Sequence, residues 1–293
     1  MWSTPAISHL LVIIRTHDPS EARIHRIIEW ARDLKQAGID TWVSIDESSA
    51  PHKGWVRSRI EEHLIADLQE EHDLIRFHEY TEADMLREYP VLEELLEKLK
   101  LERCPWWKRW LRKLGLISSL SRKYFKRKLA WGFYAEAINL LVQKLPWTYD
   151  TIWVIEDDVG VSGSLSAILL ECERIQCDLM ASRCVPTMEP DWHWKEILTE
   201  RYRQYCANSF GIISEFVVRF SRPFLDVLHA LSKDGISAWS ESSLYSLCKA
   251  TKGCEYAELP EEFIGEHWKW NAVVTKEMFE EAEPGKFYHA LKW

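Results

Sequence analysis

The chain reads as an α/β protein with a mostly parallel, doubly wound central sheet flanked by helices. Strand-like and helix-like patterns alternate over the first eighty residues, as they do in a βαβαβ run. Runs such as "HLLVII" and "TIWVI" are apolar throughout, which suits buried strands. Apolar residues make up 46% of the 293, enough for a sizeable core, and this length favours one domain over residues 1–293 carrying insertions.

The elements follow in order. Ile7 to Ile14 predicts strand one, closing on Arg15, Thr16, His17 and Asp18. Pro19 and Ser20 open a helix with Ile24, Ile27, Ile28, Ala31 and Leu34 at helical spacing, and Gly38 stops it. "IDTWVSIDES" predicts strand two, ending at Asp46. A helix from about Val56 to Leu68 and a third strand in "HDLIRFHEY" complete the run. Residues 82–128 then break the rhythm and read as a helical insertion. "KLAWGFYAEAINLLVQKL" predicts one helix feeding a strand at Thr151 to Ile155. Beyond it come a helix (Leu165 to Cys172), a strand (Asp178 to Ser182), a loop in "MEPDWHWKE" and a strand in "ANSFGIIS". Two more helices are predicted, one from Pro223 to Leu231 and one from Glu241 to Ala250 with Ser240 as its N-cap. The tail from Glu261 reads as irregular.

Composition excludes several classes. A net charge of -9 argues against nucleic acid as the main partner, because phosphate binding shows as a basic excess. The seven cysteines are odd in number and form no CxxC pair, so reduced thiols and a cytoplasmic setting are expected. No signal peptide or membrane-spanning run is expected either. Charge is segregated, however. Of 37 cations against 46 acids in the chain, ten cations and no acid lie within residues 103–128, leaving the remainder near -19. This stretch mixes cations with indoles and leucines. It fits peripheral membrane contact, packing on the acidic helix before it, or, third, nucleic acid.

The strand at Thr151 ends on three adjacent acids, Glu156, Asp157 and Asp158. Ligands of open α/β sheets bind outside the carboxyl ends of the strands. Alternation puts Glu156 and Asp158 on one face and Asp157 on the other. A divalent cation, Mn²⁺ or Mg²⁺, would remove the mutual repulsion of such a group. The bland alternative is a strand end bending into solvent with its acids near the next helix, for which Ser162 and Ser164 already offer caps.

An apolar strand followed by Glu-Asp-Asp, a valine and a small residue resembles the DxD-type motif of GT-A fold glycosyltransferases, in its EDD variant. The resemblance covers most of the chain in outline but not residues 82–128. It implies a metal-dependent transferase that moves a sugar from a nucleoside-diphosphate sugar, a UDP-sugar first of all, to a hydroxyl of a glycan or lipid-linked acceptor. It further implies Asp158 as metal ligand and a late histidine, His289, as a second. Glu156, Asp157 and Lys292 would face the donor, together with Thr16, His17, Asp18 and Asp46 at the ends of the first two strands. Inverting members place an acid at the start of a late helix, and "AWSESSL" offers Glu241 as that base, although the pattern here is Ser-Glu rather than Glu-Asp. Trp192, Trp194 and Trp268 are candidate acceptor platforms. A sugar nucleotidyltransferase is disfavoured because "RTHDPSEAR" carries no glycine for a phosphate loop. A non-catalytic carbohydrate- or membrane-binding protein of the same fold is the remaining alternative.

Overall fold

The structure is a computed structural model and describes residues 10–67, 73–117, 129–185, 198–207, 209–266, 268 and 273–291. In chain order the elements are β1 (Leu10–Thr16), α1 (Glu21–Gln36), β2 (Asp40–Asp46), α2 (Trp55–Asp67), β3 (Arg76–Tyr80), α3 (Glu82–Glu88), α4 (Val91–Arg103) and α5 (Trp106–Lys113). There follow α6 (Leu129–Gly132), α7 (Tyr134–Val142), β4 (Thr151–Glu156), β5 (Gly160–Ser162), α8 (Leu165–Cys172), β6 (Leu179–Val185) and α9 (Glu200–Cys206). The chain closes with β7 (Ile212–Ser221), α10 (Arg222–Lys233), α11 (Ser240–Ala250), β8 (Tyr256–Glu258), α12 (Lys276–Glu280) and β9 (Lys286–Tyr288).

Seven strands form the central sheet in the order β3-β2-β1-β4-β7-β6-β8. Only β7 runs against the others. The expected mostly parallel α/β sheet is therefore the one observed. Its central strands are buried on both faces. Val12, Ile14, Trp153 and Ile155 pack under α1 and α8, while Leu11, Ile13, Ile152 and Val154 pack under α7, α10 and α11. This two-sided burial explains why β1 carries no polar residue before Arg15 and β4 none between Thr151 and Glu156.

Several sequence expectations need correction. The strand placed over "ANSFGIIS" begins later and runs to Ser221 as ten residues, held between β4 and β6. The single helix before β4 is broken at Phe133, whose φ of -128° and ψ of 65° leave the helical region. Ser240 is not a cap. Trp239 occupies that position without a side-chain bond, and the Ser240 hydroxyl instead accepts from the Tyr134 backbone N–H at 2.5 Å. The tail is not wholly irregular, because β9 pairs antiparallel with β5. Nor are all cysteines reduced. Cys248 and Cys254 form a disulfide across the turn that leads from α11 to β8, a spacing that no CxxC search detects. Among the described residues, no helix is long and apolar enough to cross a membrane.

One buried histidine gives the fold a pH signature. His78 on β3 is 8% exposed, and its Nδ1 has no hydrogen-bond partner. Burial, reinforced by Lys144, pushes its imidazole down to about 4. The unfolded chain then takes up a proton before the folded one does as pH falls. The stability contributed by the neutral ring is intact above about pH 6.5 and is lost on descent towards pH 4, amounting to about 3 kcal/mol. Chemical denaturation of wild type and His78→Gln at about pH 7 and about pH 4.5 should show that the variant loses less stability on acidification. Equal losses would exclude His78 as the cause.

Candidate active site

The three acids at the end of β4 take different partners. Parallel register sets Arg15 opposite Glu156, both on the α7 side of the sheet. Thr16 and Asp157 follow on the α1 side. There the Thr16 hydroxyl donates to Asp157 Oδ2 at 2.5 Å and Arg23 Nη1 lies 3.2 Å from Asp157 Oδ1. Arg26 Nη1 donates to the Asp157 carbonyl at 3.1 Å. Both arginines stand on α1 three residues apart, so one helical face supplies both guanidiniums. Asp157 is 5% exposed, and its carboxylate is occupied by these partners.

Glu156 and Asp158 turn the other way, towards the end of the chain. His289 follows β9, and its Nε2 lies 3.5 Å from Asp158 Oδ1. Glu156, Asp158 and His289 each offer a ligand atom, and all three atoms lie within 4.8 Å of one another. Two carboxylates and an imidazole form a donor set that fits Mn²⁺, with Mg²⁺ accommodated by the carboxylates. Although 27% of the Glu156 side chain is accessible, the surrounding protein pushes its carboxyl up to about 7. Arg15, 3.5 Å away, opposes that rise, while Asp158 adds to it. A cation among these groups would relieve both the burial cost and the repulsion.

The segment carrying His289 is fixed by backbone bonds. Leu291 N–H donates to the Asp158 carbonyl at 2.8 Å, and Gly265 N–H to the Phe287 carbonyl at 2.8 Å. The His289 ring stacks on Phe216, with centroids 3.4 Å apart and planes 12° apart. Trp268 meets the same imidazole edge-on at 6.1 Å, and its indole N–H donates to Ser182 at 2.6 Å. Trp268 is 9% exposed, so it supports the histidine and offers no open platform.

The other predicted residues are dispersed. Asp46 is buried at the end of β2, where Oδ1 accepts from the Ser48 N–H at 2.9 Å and Oδ2 has no partner. His17 packs edge-on against the half-exposed Trp131 at 5.2 Å. Asp18 points out of the strand end to Arg59 of α2, 3.6 Å away. Glu241 occupies the first turn of α11 and is partly exposed. Trp192, Trp194 and Lys292 lie outside the described residues.

Sequence reasoning missed a buried polar layer beneath the acids. The Arg15 guanidinium lies 4.0 Å from the centre of the Tyr134 ring and donates to the Ala130 carbonyl. Glu215 on β7 is 6% exposed, with an unpartnered Oε2. Burial first, then the Glu241 and Glu156 carboxylates, hold its acid well above the usual range. Glu215 therefore lies within the field of both carboxylates. A lone acid within the apolar run "IISEFVVRF", and an arginine closing "LLVIIRT", were the available signals. A separate cleft of about 490 Å³ opens beside the edge strand β3, lined in part by Glu47, His78, Tyr80 and Lys144, and includes none of the three clustered ligands.

Gly160 makes the joint between β5 and the tail. A Cβ there would lie 2.5 Å from Leu291 and 2.6 Å from Phe279. Gly160→Ala should displace the tail and weaken Mn²⁺ binding by about tenfold, with all three ligands intact. Calorimetric titration of Mn²⁺ into wild type and variant checks this, and equal affinities would separate the tail's packing from the cluster.

No family model and no curated protein matches the chain. Among solved structures it is similar to mouse xyloside xylosyltransferase 1 in its apo form, at 12% identity and a TM-score of 0.44 over 96% of this chain and 97% of that one. It is also similar to core-mannan synthase A from Aspergillus fumigatus in its Mn/GDP form, at 8% identity and a TM-score of 0.42 over 88% and 74%. A third similar structure is 4-diphosphocytidyl-2C-methyl-D-erythritol synthase from Anaerococcus prevotii DSM 20548, at 10% identity and a TM-score of 0.41 over 94% and 97%. Likeness this remote decides nothing about chemistry, which rests on the side chains at the strand ends.

Proposed function

We propose that the protein is a metal-dependent GT-A type glycosyltransferase. It would transfer a sugar from a nucleoside-diphosphate sugar, a UDP-sugar first of all, to a hydroxyl of a glycan or lipid-linked acceptor. The observation that carries this reading is the convergence of Glu156, Asp158 and His289 at the carboxyl end of β4. A catalytic centre belongs at that end of such a sheet. Asp158 and His289 would hold Mn²⁺ or Mg²⁺, with Glu156 beside them facing the donor. When bound, the metal supplies positive charge to a diphosphate leaving group.

The chain's own residues supply the rest. Arg15 holds Glu156 in place from below. Asp157 ties β4 to α1 through Arg23 and Arg26, so its role is to brace the site. His17 and Asp46 stand at the ends of β1 and β2, where a nucleoside would lie, and the unpartnered buried oxygen of Asp46 suits a ribose hydroxyl. Glu241 is the proposed base. It sits in the first turn of α11, within the electrostatic reach of Glu215, and removes the acceptor hydroxyl's proton as the glycosidic bond forms. Displacement in one step inverts the anomeric centre.

Thermal stabilisation by UDP, GDP, CMP and dTDP, each with Mn²⁺ and with EDTA, tests the donor site. One nucleoside diphosphate should raise stability by about 2.7 kcal/mol at a hundredfold excess over its dissociation constant. The gain should require metal and vanish in Asp158→Asn. A response to none of them would favour a non-catalytic binding protein. Glu241→Gln should keep the nucleotide response and lower turnover by about 10²-fold or more. Unchanged turnover in that variant would remove Glu241 from the base role.

A further inference from the structure

Helix α5 is amphipathic in the reverse sense for a helix packed on a core. At 3.6 residues per turn, Trp106, Trp107, Trp110, Leu111 and Leu114 fall within one arc of about 140°, and Lys108, Arg109, Arg112 and Lys113 occupy the opposite arc. None of the helix is buried. The apolar arc faces solvent. Trp106 is 77% exposed, Trp110 56%, Leu114 52% and Trp107 45%. Two cations of the other arc turn inward, while Lys113 at its edge is exposed. Arg112 pairs with Glu97 of α4 at 3.5 Å, and Arg109 Nε donates to the Cys104 carbonyl at 3.2 Å. Three neighbouring indoles turned to solvent are a patch that core packing does not explain.

We infer that α5 is an interfacial anchor for a bilayer containing anionic lipid. Its indoles would enter the boundary between headgroups and acyl chains, and the cations at the edges of the arc would meet lipid phosphates. Tryptophan suits this depth because the ring is apolar and its N–H remains able to hydrogen-bond. Charge favours lipid over a second copy of the chain. A twofold contact through this face would bring the exposed Lys113, at the edge of the arc, against its own equivalent, whereas anionic headgroups complement it. Charge also sets orientation. Residues 103–128 hold ten cations and no acid, so the acidic remainder of the chain is repelled by the surface that attracts this stretch. The inference goes beyond the transferase reading and does not depend on it, since lipid binding needs neither donor nor metal.

Flotation with vesicles of phosphatidylcholine alone, and of phosphatidylcholine with phosphatidylglycerol, tests it in the presence of EDTA. Wild type should float with the mixed vesicles and not with the neutral ones. The triple variant Trp106→Ala, Trp107→Ala, Trp110→Ala should bind mixed vesicles at least about tenfold more weakly at an unchanged melting temperature, because all three positions are exposed. Brominated acyl chains should quench part of the wild-type tryptophan fluorescence, a readout that needs no variant. Wild type that remains unbound, indoles that are not quenched, or a triple variant that binds as well as wild type would each overturn the anchor. So would sedimentation velocity showing that the face instead joins two copies of the chain. Loss of vesicle binding with the metal-dependent nucleotide response intact would separate this surface from the site at β4.

Discussion

The structure is organised around the cost of ending a buried strand on three adjacent carboxylates. Left together in a low-dielectric interior, Glu156, Asp157 and Asp158 would repel one another strongly. Separate partners divide them. Asp157 goes to the α1 face, where Thr16, Arg23 and Arg26 receive it. Glu156 lies beside Arg15, and Asp158 lies beside His289. One acid is thereby satisfied by α1, and the other two converge with a histidine.

Completion of the site falls to the end of the chain. The β5–β9 pair, the backbone bond from Leu291 to Asp158 and the stacking of His289 between Phe216 and Trp268 act together. They fix an imidazole from the tail against a carboxylate from the middle of the sequence. The close fit at Gly160 makes that arrangement depend on a residue that contributes no ligand. Burial and the carboxylates of Glu241 and Glu156 all raise the carboxyl of the buried Glu215.

Reading the residues in order recovered the strands whose neighbours along the chain are also their neighbours in space. β1, β2 and β3 belong to that group. The antiparallel β7 was misplaced because its continuous burial between β4 and β6 leaves no alternation to mark where it begins. Ser240 has the chemistry of a cap, but its hydroxyl is used by the N-terminus of α7, a partner that no local pattern reveals. The same holds for the disulfide between Cys248 and Cys254, which a turn creates rather than a motif.

The sequence by itself determined the α/β class, the acidic strand end and the segregated basic stretch, because each is written in residue type and short-range period. Tertiary structure alone decided which partner each acid meets. That outcome depends on Arg23 and Arg26 of α1 reaching Asp157, and on the tail folding back to set His289 beside Asp158. It also decided which side of α5 meets solvent. Periodicity defines two arcs on that helix, but only packing against the acidic α4 turns Arg112 inward and leaves the indoles outward. These are long-range choices, made by burial and charge pairing between elements far apart along the chain, and so they leave no local trace in the order of residues.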